Sequence, residues 1–190
     1  MALRSLILLP ATAAILVGLA GCAPTAVAES SPPPSDAPTT PSAEPSDPAT
    51  PTSVPIDADC EALVSPDAMY AYNPNFGWVE DWQPESGTPA ADAVDLDGVA
   101  CQWLNQTSGD TIDLSVASLD GDGLEALKNA AVEESTMVPT YGDEAYFEVV
   151  DGIGTAIVFD RSYWLVVSSG YFFEPGDATE IVESALSALP

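Results

Sequence analysis

The sequence predicts an α+β fold, an antiparallel sheet of about five strands with two to three helices packed on it. Three observations carry that prediction. Residues 111–118 alternate strictly, with Ile112, Leu114 and Val116 set to one side and Thr111, Asp113 and Ser115 to the other, the period of a strand with one buried face. Asp151-Gly152 and Asp160-Arg161-Ser162 separate three short apolar runs and read as hairpin turns. Two further segments, opening at Asp122 and Asp177, repeat apolar residues at helical spacing.

In chain order the domain begins with a helical turn around Cys60. At Ser65-Pro66-Asp67 the serine suits an N-cap, the proline the first helical position and the acid the positive helix end. Residues 73–98 show no periodicity and carry Pro74, Gly77, Pro84, Gly87 and Pro89, which predicts loop. Strands are expected over 100–105 and 111–118, joined across Thr107-Ser108-Gly109-Asp110. Asp122 and Glu125 form a capping-box pair for a helix presenting Leu124, Leu127 and Ala131 on one face. Strands follow over 145–150, 153–159 and 163–169. The last helix opens at Asp177, with Glu180 three residues on, and presents Ile181, Val182, Ala185, Leu186 and Leu189. The order is α-β-β-α-β-β-β-α, and turns this short between consecutive strands require antiparallel pairing.

Composition removes whole classes of function. The 190 residues include 30 acids, three basic residues and no histidine, a formal charge of −27. Without histidine there is no Ser-His-Asp catalysis, no Cys-His nucleophile and no imidazole-ligated metal site. Nucleic acid is excluded as a partner because phosphate recognition runs on clustered Lys and Arg. One cation, Arg4, lies in the leader, so the rest of the chain holds only Lys128 and Arg161.

The first residues place one positive charge before a short apolar run and end in small residues, the pattern of a secretory signal. Pro10 interrupts the run, which falls short of a bilayer span. Leu19-Ala20-Gly21-Cys22 resembles the bacterial lipobox. That resemblance implies a signal peptide over 1–21 and a diacylglyceryl group on Cys22, a multi-acyl anchor that holds far more firmly than one chain. Residues 23–55 then carry ten prolines, eleven Ser or Thr and no Leu, Ile or aromatic residue, so 22–55 reads as a lipidated cysteine on an unfolded stalk. The globular domain is expected over 56–190. With Cys22 set aside, Cys60 and Cys101 form an even pair in an oxidising compartment and predict a disulfide. A thiolate site is the rival reading, but it lacks a cation or histidine to activate the sulfur.

Within the domain, Cys60-Glu61-Ala62-Leu63, Asp97-Gly98-Val99-Ala100-Cys101-Gln102-Trp103, Gly142-Asp143-Glu144-Ala145-Tyr146 and an Ala/Leu-rich terminal helix resemble small actinobacterial lipoproteins of uncharacterised domain type. In that family a cysteine of the first helix pairs with one just before a tryptophan on the first strand. The likeness implies fold and envelope location. It implies no general enzymatic role, although some members carry transporter-component labels, including iron uptake.

Candidate chemistry concentrates in residues 70–82, where Tyr70, Tyr72, Phe76, Trp78 and Trp82 supply five of the fifteen aromatics. Long loops in compact domains are often functional, and aromatic surfaces bind sugars, peptides and other proteins. Tyr72, Phe76, Trp78 and Trp82 are therefore the candidate binding surface. The competing reading seats the same rings at a core edge, and Tyr171-Phe172-Phe173 poses the same choice. Asp120-Gly121-Asp122-Gly123 lacks the ligand spacing of a calcium loop and reads better as a helix cap. The Asn105-Gln106-Thr107 sequon reads as coincidence.

The expected protein is a monomeric, non-catalytic binding module without a cofactor, lipid-anchored at the extracytoplasmic face of a Gram-positive membrane. Its partner would be an envelope protein or a small solute. An accessory solute- or metal-binding component of an uptake system is the alternative, and a carboxylate-based wall hydrolase is a third reading.

Overall fold

The computed structural model describes residues 52–190. Cys22, the leader and most of the stalk lie outside the described residues. Within them a single antiparallel sheet organises everything else.

Its strands are β1 (Ser53–Val54), β2 (Phe76–Trp78), β3 (Val99–Asn105), β4 (Thr111–Leu119), β5 (Thr136–Met137), β6 (Glu144–Val150), β7 (Ile153–Asp160) and β8 (Tyr163–Ser169). The helices are α1 (Cys60–Leu63), α2 (Pro66–Tyr72), α3 (Pro89–Asp95), α4 (Gly121–Glu134) and α5 (Thr179–Ala188). The sheet runs β2-β3-β4-β8-β7-β6-β5, and β1 pairs with β4 at Ser53↔Leu119, beyond the end of β3. The α+β class stands, but eight strands and five helices replace the expected five strands and two to three helices.

The added elements fall where periodicity is weakest. β1 and β5 are two residues each, and β2 is three. The segment read as loop over 73–98 holds both β2 and α3. Thr88 caps α3 by accepting from the Ala91 amide, with Pro89 at the first helical position. The helix starts also shift. Asp120, not Asp122, caps α4 by accepting from Gly123 N at 2.9 Å. Asp177 lies within a 3-10 turn, Pro175–Ala178, where its carboxylate accepts from Phe173 N and Glu174 N.

Hairpin chemistry fixes the register. Asp151 and Gly152 both take positive φ, 52° and 85°, as the tightest two-residue hairpin requires, and Val150 pairs with Ile153. The alternation of β4 then sorts side chains onto two faces. Ile112, Leu114 and Val116 join Leu63, Trp103, Leu165, Val167, Phe172 and Ile181 in the larger core, against α1, α2 and α5. Ala117 and Leu119 turn to the other face and pack with Tyr146, Phe159, Trp164 and Leu124 of α4. Helices thus cover both faces. The disulfide joins Cys60 of α1 to Cys101 of β3 and ties the first face to the sheet.

Candidate functional site

The second face is covered only in part. α4 crosses it from β4 towards β6 and β7, and α3 packs on β3 and β4. Beyond them the strand registers align one side chain from each of five neighbouring strands: Gln102 with Asp113, Asp113 with Ser168, Ser168 with Thr155, and Thr155 with Glu148. Each is the outward, polar residue of its own strand. Register turns them into a polar row across the sheet. Gln102 Nε2 donates to Asp113 Oδ1 at 2.9 Å, and the Thr155 and Ser168 hydroxyls lie 3.1 Å apart.

A cleft of about 400 Å³ opens over this row. Gln102, Asp113, Ser115 and Ser168 line its floor, with Val166 and Ile153 beside them. Trp82, Glu85, Thr88 and Pro89 form the wall, carried by the start of α3 and the segment before it, which Val79 N anchors to Gln102 O at 2.9 Å. The size suits a small ligand, and apolar walls around a few convergent polar groups are the usual anatomy of such sites.

Asp113 is the electrostatic centre of the cleft. It is half-buried, and burial pushes its carboxyl above the usual 3.8, with the Gln102 amide and the Thr111 hydroxyl opposing in part. Neither cation of the domain offsets the charge. Lys128 pairs with Glu125 at 3.4 Å and Glu144 at 3.3 Å, over the Phe159 ring. Arg161 pairs with Asp160 at 2.9 Å, stacks over Tyr163 and donates to the Pro190 carbonyl.

A stability prediction follows from this environment. A carboxyl whose folded pKa is raised binds its proton more tightly in the folded state, so stability falls as pH climbs from 3.8 through that raised value. At neutral pH the ionised form is a net cost. Asp113→Asn keeps an oxygen for the Gln102 amide and removes the charge. We expect its melting temperature to exceed that of the wild type at pH 7, the gain vanishing below pH 3.8. A gain that persists undiminished in acid would contradict the assignment.

The four aromatics expected to form one surface are dispersed. Phe76 is buried and packs on Tyr72 and edge-on to Tyr171, with ring centroids 6.3 and 5.3 Å apart. Tyr72 borders a hollow with Asp177 and Glu180, and burial with those two acids pushes its hydroxyl pKa up to about 12. Trp78 remains 43% exposed on the first face, beside Tyr70 at 70%, above a small hollow floored by Trp103 and Met69. Trp82 alone enters the polar cleft. In the second aromatic cluster Phe172 is fully buried, whereas Phe173 is 75% exposed.

Other sequence candidates resolve into structure. Asn105 is buried, donates to Tyr171 Oη at 3.1 Å and accepts from the Thr107 and Ser108 amides, which commits its amide to the turn. Among the described residues no group of three or more Cys, Asp or Glu side chains lies close enough to hold a metal ion. No helix among them is long and apolar enough to cross a membrane. No protein-family model, curated protein or solved structure matches the chain. Fold and cleft define, on their own physical terms, a one-disulfide α+β domain with a ligand-sized opening on an uncovered half-face of its sheet.

Proposed function

We propose that this protein is a non-catalytic binding module, held at the extracytoplasmic face of a membrane by lipid on Cys22, and that the cleft over Asp113 receives a small solute. The observation that carries the reading is a half-buried carboxylate without a counter-ion, set in a ligand-sized cleft beside an indole. A domain shaped by stability alone gains nothing from that charge, and perturbed carboxyls in clefts concentrate at functional sites. Gln102, Asp113, Ser115 and Ser168 would orient the solute, and Trp82 would cover it. Delivery of that solute to an uptake system is the same reading with a partner added.

A thermal-shift screen of small polar solutes on the full chain tests it. Hits should fade in Gln102→Ala and Trp82→Ala. Hits that survive both substitutions would move the site elsewhere. Intact-mass measurement tests the anchor, which requires an acylated N-terminal Cys22. A second reading, docking of an envelope protein, is favoured by the exposed Tyr70–Trp78 pair and predicts that Trp78→Ala loses the partner while solute shifts persist.

A further inference from the structure

We infer that the cleft selects an organic cation, a primary ammonium or guanidinium carried on a short apolar stem. This rests on reading the cleft as the ligand site and adds the chemical class of its ligand.

The argument begins with the missing counter-ion. Asp113 sits on the cleft floor with one amide donor, Gln102 Nε2, at 2.9 Å. Both cations of the described chain are engaged elsewhere, Lys128 by Glu125 and Glu144, Arg161 by Asp160 and the Pro190 carbonyl. Positive charge for Asp113 must therefore arrive from outside. A partly desolvated carboxylate gains most from a ligand that brings both charge and hydrogen-bond donors.

The rest of the lining agrees. Gln102 commits one N–H to Asp113 and keeps its carbonyl oxygen as an acceptor. Ser115 and Ser168 add hydroxyl oxygens, and an ammonium carries three donors to satisfy such a set. Glu85 on the wall and Glu148 at the end of the row repel anions, as does a domain with 26 acids against two cations. Trp82, Ile153, Val166 and Pro89 provide the apolar surface for a stem, and an indole face attracts a cation directly. A neutral polyol would use the hydroxyls but leave the Asp113 charge unanswered.

Titration calorimetry on the full chain isolates the charge with benzylamine and its neutral counterpart, benzyl alcohol. Benzylamine should bind at least tenfold more tightly than the alcohol, and Asp113→Asn should weaken the amine at least tenfold, the worth of one charge-assisted contact. Misfolding cannot mimic that loss, because this variant is expected to be the more stable one. The blocked tripeptide acetyl-Gly-Lys-Gly-amide separates sources. Binding as tight as the amine's assigns a protein side chain, and binding of benzylamine alone assigns a free amine. Equal affinity for amine and alcohol, or amine binding unchanged in Asp113→Asn, overturns the inference. If maltose binds and is lost in Trp82→Ala while amines give no heat, the cation falls and the cleft stands. If none of the probes binds, the cation falls and the cleft loses its support as well.

Discussion

Reduction of the Cys60–Cys101 bridge is expected to cost the domain about 4 kcal/mol, the chain-entropy value for a loop of this length. The span matters because of what lies inside it. The two cysteines are 41 residues apart, and between them run α2, β2, the Trp82 segment and α3. Most of these elements are too short to persist alone. α1 is a single turn, fixed by the Asp59 carboxylate on Ala62 N at 2.8 Å and by Ser184 of α5 on the Leu63 carbonyl at 3.1 Å. Without the bridge that turn is held by those two hydrogen bonds and by burial of Leu63. Against a typical total of roughly 5–15 kcal/mol the loss is large. Urea unfolding should show a midpoint that drops under reductant in the wild type and does not move in Cys60→Ser/Cys101→Ser. Hydrogen exchange should show α1, α2 and β2 losing protection before β4, β7 and β8. Equal midpoints in oxidant and reductant would mean that packing alone holds α1.

Much of this architecture was legible from residue order. The alternation of β4 placed Ile112, Leu114 and Val116 on the core face correctly, but Ser115, expected outward, is buried, because the second half of the strand is covered on both faces. Asp151-Gly152 gave the hairpin, since few residue pairs tolerate two successive positive φ angles. The faces read for the two long helices are the buried ones, Leu124 and Ala131 in α4 and Ile181, Val182 and Ala185 in α5. What escaped was short or made of small residues. Phe76–Trp78 is too brief to show a period, and Gly77 interrupts it. Thr88-Pro89 repeats the chemistry of Ser65-Pro66, but the face of α3 is built from Ala90 and Ala93 and produces little hydrophobic contrast.

The cleft was hidden for a different reason. Gln102, Asp113, Ser168, Thr155 and Glu148 each look like an ordinary solvent-side residue in their own strand. Their meaning comes from alignment across β3, β4, β8, β7 and β6, which depends on non-consecutive pairing of β4 with β8. No local pattern encodes that pairing. Trp82 drew attention as one of an aromatic cluster, yet chain proximity misled, because the chain passes to the other side of the sheet after β2. Phe76 and Trp78 face the α2 side, and Trp82 reaches the polar side.

The other large effect is expected at Gly154, where the sheet meets its own return path. After β8 the chain turns at Ser169, with Tyr171 N bound to Ser169 Oγ at 3.0 Å, and crosses β7 on its way to α5. A Cβ at Gly154 would lie 2.1 Å from the Phe172 carbonyl oxygen and 2.7 Å from its Cβ. Those atoms belong to the backbone and its first carbon, so no rotamer change relieves the contact. The crossing must lift, drawing Phe172 out of the core and loosening α5 above it. Overpacking alone costs roughly 1–3 kcal/mol, and lost burial of a large aromatic up to about 5, so Gly154→Ala should lose about 3 kcal/mol and Gly154→Val should fail to fold. Phe172→Ala should not rescue Gly154→Ala, because it leaves the carbonyl and Cβ in place. Gly121→Ala supplies the control. It has open space and no positive φ at the first position of α4, and is expected to be neutral or to stabilise by up to about 1 kcal/mol. Denaturation midpoints of the three alanine variants decide the matter. Gly154→Ala as stable as Gly121→Ala would mean that the return segment does not cross β7 closely, and that α5 is held by its own apolar face alone.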